Sequence, residues 1–197
     1  MNQFVRILIA VCVSCALAAC ASVSYEQPTS GDRARVRFAV VEGFRVALPS
    51  STATVFNYDD EECTNQREWM YLIDGFYARP DPRRLGMPLW DFNTNAAKEF
   101  YVEGNRPYYF MIATDAFGGG DLYTTTYITC AVPVFTKFET DHDYEVVFQM
   151  RDSRTCVVTL NEIVSDSAGA RRVQLGVFDN STLPSGGCTY AFSRLFR

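Results

Sequence analysis

One histidine, His142, serves the whole chain. That scarcity removes zinc centres built on two or three imidazoles and leaves oxygen-ligated calcium as the remaining ion class. No C-x-x-C spacing occurs among the four cysteines beyond Cys20, so the close thiolate pairs of a structural zinc site are missing there too. There is no G-x-S-x-G elbow. The glycine run Gly118-Gly119-Gly120 lacks the following helix and lysine of a phosphate cradle. Long helical periodicity, internal repeats and low-complexity tracts are absent. The net charge of −5 is mild and has the wrong sign for general attraction to nucleic acid or anionic lipid. These absences leave hydrolase chemistry without positive support, and no catalytic residue, metal or cofactor is assigned.

What is present begins at the amino terminus. Arg6 leads into the apolar stretch Ile7 to Leu17, which is too short to span a bilayer and ends in Leu17-Ala18-Ala19-Cys20. The segment reads as a secretory signal, and its last four residues resemble the lipobox of bacterial lipoproteins. That resemblance implies cleavage before Cys20, lipidation of Cys20, and anchoring in the cell envelope through several acyl chains, since one chain alone binds only marginally. With Ala21 rather than Asp after the cysteine, the resemblance implies the outer membrane, facing the periplasm. Three regions follow: a signal peptide (1–19), the lipidated cysteine with a flexible tether (20–32), and a single domain (33–197). The Ser, Thr, Gln, Pro and Gly of Ala21 to Asp32 would hold the domain roughly 20 Å from the membrane as a random coil.

Beyond Cys20 four cysteines remain: Cys63, Cys130, Cys156 and Cys188. An even number in an exported chain points to two disulfides, each worth roughly 4 kcal/mol in the chain-entropy model. Three pairings are open. Cys63–Cys130 with Cys156–Cys188 is preferred, because each would tie sequence-neighbouring parts of a meandering sheet.

The body alternates with period two. Ala34, Val36, Phe38 and Val40 interleave with Arg33, Arg35 and Arg37, the pattern of a half-buried strand. Thr52 to Tyr58, Trp69 to Ile73, Lys98 to Val102, Pro107 to Thr114, Tyr123 to Cys130, Tyr144 to Met150, Thr155 to Leu160, Val173 to Phe178 and Thr189 to Phe192 read as further strands. Glu103-Gly104-Asn105-Arg106 reads as a hairpin turn. Asn93 to Phe100 is the one modest helix candidate, and its tail also fits a strand. About eight to ten short strands predict an all-β fold, an antiparallel β-sandwich stapled by two disulfides. The layout is similar to uncharacterised Gram-negative lipoproteins with β-sandwich bodies, on Arg33-Ala34-Arg35-Val36-Arg37-Phe38 and Tyr144-Glu145-Val146-Val147-Phe148; that likeness implies no activity.

Five features carry chemistry. Asp141-His142-Asp143 could supply a general base or a metal ligand, but a polar turn entering a strand explains it without function. Asp59-Asp60-Glu61-Glu62 offers an acidic patch for a basic partner, against a solvated loop. The row Arg33, Arg35, Arg37 could bind phosphate or an anionic glycan, but alternation alone makes it the wet side of a strand, paired with carboxylates opposite. The loop from Arg79 to Asp91 combines three prolines with Arg79, Arg83, Arg84 and Trp90, residue types enriched where partners dock. Its structural alternative is a rigid cover in which Leu85, Met87 and Trp90 close one end of the sandwich. Phe117 to Asp121 reads as a flexible inter-strand loop.

Three function classes follow: a non-enzymatic envelope module binding a protein or wall component, an inhibitor or immunity protein using the acidic run against a toxin or hydrolase, and an enzyme resting on the His142 cluster. The first is the reading adopted, with the membrane as a partner through lipid and no nucleic acid.

Overall fold

The computed structural model describes residues 25–41, 52–60, 62–65, 67–73, 84–92, 97–117, 127–151 and 155–180, and no helix occurs among them. Among the described residues nine strands carry the fold: β1 (Arg33–Val41), β2 (Thr52–Tyr58), β3 (Arg67–Ile73), β4 (Ala97–Glu103), β5 (Pro107–Phe117), β6 (Tyr127–Lys137), β7 (Asp143–Met150), β8 (Cys156–Asp166) and β9 (Gly169–Asp179). They form a five-stranded sheet in the order β4-β1-β7-β8-β9 and a four-stranded sheet in the order β3-β2-β5-β6. The two sheets pack face to face as a β-sandwich. Every pairing is antiparallel except one: β1 and β7 run parallel, Arg35 opposite Asp143 and Arg37 opposite Glu145.

The period-two pattern decides which side chains enter the core. Ala34, Val36 and Phe38 of β1 join Phe100 and Val102 of β4, Tyr144, Val146 and Phe148 of β7, and Val158 and Leu160 of β8. Facing them from the other sheet are Val55, Phe110, Ile112, Val132 and Val134. Phe38 packs edge-on against both Phe100 and Phe110, at 6.4 and 5.6 Å between ring centres. Burying an aromatic side chain of this size stabilises the fold by about 1.5–3 kcal/mol.

The structure alters several sequence expectations. Residues 103–106 are not a hairpin, because β4 and β5 belong to different sheets. They are a corner, pinned to the β6–β7 turn by hydrogen bonds from Asn105 N–H to Phe138 O (2.7 Å) and from Asn105 Nδ2 to Thr140 Oγ1 (2.7 Å). Gly104 is required there: a Cβ would sit 2.3 Å from Thr140 Oγ1 and 2.9 Å from its Cα. The tail of the helix candidate is strand β4. The strand expected over Tyr123 to Cys130 is instead β6, which runs on through Pro133. A proline is tolerated because β6 is outermost among the described strands of its sheet, where one side makes no ladder bonds to a described strand.

The preferred disulfide pairing is also corrected: Cys130 bonds to Cys156. Cys130 shares the inward parity of Val132 and Val134, and Cys156 that of Val158 and Leu160, so the bond crosses the core from β6 to β8. A pairing chosen to join neighbouring strands overlooked that both residues point between the layers. Residues 1–24 with Cys20, the loop 118–121, Cys188 and the run 189–192 lie outside the described residues.

Candidate functional site

Outward-facing positions of the five-stranded sheet carry charge where the inward ones carry hydrocarbon. Cross-strand register sets Arg37 between Glu99 of β4 and Glu145 of β7, and Arg35 beside Asp143. Opposite charges directly across a ladder attract. Arg37 Nη2 and Nε donate to Glu99 Oε1 at 2.8 and 3.1 Å, and Nη1 donates to Glu145 Oε1 at 2.8 Å. Glu145 accepts from Arg172 of β9 as well, at 2.5 Å from Nε, and Arg172 reaches on to Asp91 at 2.7 Å. The result is a line of alternating sign: Glu99, Arg37, Glu145, Arg172, Asp91.

This face is not wet. Arg37, Glu99 and Glu145 are 0–1% exposed, and the lid over them is the segment 84–92. Arg37 Nη2 donates to the carbonyls of Met87 (3.0 Å) and Pro88 (2.9 Å), and Nη1 to that of Leu89 (3.1 Å). Arg35 Nη1 donates to Leu85 O at 3.2 Å. Glu99 Oε2 accepts in return from the backbone N–H groups of Leu85 and Met87. All five N–H donors of Arg37 therefore have acceptors, as a buried guanidinium requires. Leu89 takes the left-handed backbone at φ 58°, and its carbonyl also accepts from Arg172. Trp90 lies with its ring centre 5.1 Å from the Arg37 guanidinium, and the exposed Arg84 stacks on the same ring at 3.8 Å.

The proline-rich segment is thus a strap across the outer face of a sheet, not a cap on one end of the sandwich. Leu85, Met87 and Trp90 do act as cover, but what they cover is a charge lattice. Arg79 and Arg83 lie outside the described residues. Of the arginine row, Arg35 and Arg37 meet the expected carboxylates across the ladder; Arg37 loses its expected solvent, whereas Arg33 and Arg35 stay partly exposed. Glu99, Glu145 and Arg172 were missed by sequence reasoning, although acidic residues at the outward positions of β4 and β7 were the available signal.

Hydrogen bonding to Glu145, and then to Asp91, raises the pKa of Arg172 above its ordinary value, while Arg172 lowers that of Asp91. Asp91 thus releases its proton more readily folded than unfolded. Its contribution is full above the unfolded-state pKa and is lost as pH falls through the folded one. Protection of the strap amides, taken relative to their intrinsic exchange rates, is expected to fall below the ordinary carboxylate range in the wild type. D91N should exchange quickly at neutral pH and respond less to acid; identical profiles would remove the Asp91 clasp.

His142 stands at a different place. Asp141, at φ 63°, turns the chain into β7, and its N–H donates to Arg33 O at 2.8 Å. The partner of His142 is neither adjacent aspartate but Glu162 of β8, 2.6 Å from Nδ1. Asp143 is engaged by Arg35 through two bonds of 2.6 and 2.7 Å. These groups line an open groove of about 330 Å³ with Ile163, Val164 and Ser165. The imidazole is 43% exposed. A carboxylate on Nδ1 is the arrangement that orients a general base, yet nothing among the described residues is set against Nε2 as a nucleophile. No cluster of three metal-ligating side chains occurs among the described residues.

The acidic run serves its own loop. Asp60 accepts from the Thr64 hydroxyl (2.5 Å) and backbone N–H (3.0 Å), and these bonds lower its pKa. Asp59 accepts from Asn65 Nδ2 at 3.0 Å. Glu62 is exposed, and Glu61 lies outside the described residues. Two of the four carboxylates are therefore committed to closing the β2–β3 connection.

No family model, curated protein or solved structure matches the chain.

Proposed function

We propose that the protein is a lipid-anchored, non-enzymatic binding module of the bacterial cell envelope, held through Cys20 in the outer membrane and facing the periplasm. Its recognition surface is the outward side of the strap, where Arg84 stacks on Trp90. The observation that carries this reading is the number of bonds holding the strap still: Arg37, Arg35 and Glu99 bind six backbone groups between Leu85 and Leu89. A preordered irregular segment binds a partner without first losing its own conformational entropy. The acidic run supports an inhibitor role less well, since Asp59 and Asp60 are already engaged within their loop.

The test is capture from envelope extract and by purified cell-wall fragments, comparing the native body with R83A/R84A. Trp90 is left in place because it packs on Arg37. A partner held by the native body and lost by the folded variant supports the strap as the surface. Equal capture by both removes it, and no capture from either source removes the binding module.

A further inference from the structure

The residues preceding β1 belong to the sandwich edge. β4 is outermost among the described strands of its sheet, and the backbone of Tyr101 is capped by side chains from upstream. Tyr101 N–H donates to Gln27 Oε1 at 2.8 Å, and the Tyr25 hydroxyl donates to Tyr101 O at 3.0 Å. The Tyr25 ring packs edge-on against Phe100 at 6.2 Å and adds to the main core. Arg33 donates to Thr29 O at 3.3 Å while lying 4.3 Å over the Tyr101 ring, and Asp32 O accepts from Gly104 N–H at 2.9 Å. Capping an edge strand in this way closes it to pairing with another chain. It also fixes where the chain leaves the domain.

We infer that the β4 edge is held against the lipid surface, with the bilayer as its partner. The inference rests on the proposed anchor at Cys20. The tether expected through Asp32 is already bound to the domain at Tyr25 and Gln27, which leaves at most five residue steps between Cys20 and that contact. Those steps span no more than about 18 Å, the limit of a fully extended chain. The β9 edge lies four strand spacings away, about 19 Å across the sheet. Whatever way the sandwich pivots, the β4 edge stays within that reach of the headgroups, a limit the tether does not set on the β9 edge. The strap crosses from the near edge toward β9, so its outward surface meets partners close to the membrane.

The experiment uses the full lipidated protein in phosphatidylethanolamine and phosphatidylglycerol vesicles containing an acceptor-labelled lipid. A donor dye is placed at E103C beside the β4 edge or at S167C in the β8–β9 turn. Transfer from position 103 is expected to exceed that from 167 roughly twofold, given the two distances. A ten-residue Gly-Ser insertion between Ser24 and Tyr25 should abolish the difference, and Y25A/Q27A should reduce it. Equal transfer from both positions in the native protein would overturn the inference while leaving the anchor standing. A Cys20 peptide without acyl mass, together with failure to float with vesicles, would overturn the anchor and the inference together.

Discussion

R37A will lower the unfolding free energy by about 3–5 kcal/mol, the range measured when one partner of a buried ion pair is removed. The substitution strips Glu99 of its only guanidinium among the described residues and leaves its charge in a fully covered site. The carbonyls of Met87 and Pro88 lose their donor at the same time. Glu145 suffers less, because Arg172 remains at 2.5 Å. R37K should recover only part of the loss, since an ammonium cannot present a planar fork to Glu99, Glu145 and three carbonyls together. In a domain of this size the shift in Tm is about 10 °C. Urea denaturation with disulfides intact provides the value, and amide exchange over 84–92 provides the location. A loss under 1 kcal/mol would mean the lattice holds the strap without contributing to the fold.

The second large effect belongs to the bond between the layers. C130A/C156A will cost about 3.5 kcal/mol in chain entropy alone for a sequence separation of 26. Both sulfurs are buried in the main core, so lost packing adds to that figure. The native protein in reductant should fall toward the stability of the double variant. A midpoint indifferent to reductant would show that the bond contributes nothing to the equilibrium.

The fold was legible wherever a strand has one face toward hydrocarbon. Ala34, Val36 and Phe38 alternate with arginines, Thr52 to Tyr58 is dense in β-branched and aromatic residues, and both are strands, the first with its expected inward face. What local pattern could not supply was partnership. Nothing in Glu103 to Arg106 tells whether the strand after a turn stays in its sheet or crosses to the other, because that depends on which elements lie beyond. The same blindness explains Arg37. Its outward parity was correct, but an outward residue is wet only if no distant segment lies over it, and the strap comes from 50 residues further along. The disulfide failed for a related reason: pairing was judged along the chain, while the geometry acts across the core. His142 was found, but Glu162 was not, since the two are 20 residues apart on strands whose register is visible only in the fold.

The parallel pairing of β1 with β7 bears on how the chain reaches this state. β1 occupies the interior of its sheet, and both of its neighbours are late in the sequence: β4 begins at Ala97 and β7 at Asp143. Arg35 and Asp143 stand 108 residues apart. Contacts of that span are slow to form, because closing a long loop costs entropy before any contact is made. The first strand to be synthesised therefore waits for much of the chain, with Val36 and Phe38 uncovered and both edges unpaired. A chain cut short before Asp143 could not complete that sheet, so correct assembly is itself a check that the polypeptide has arrived nearly whole.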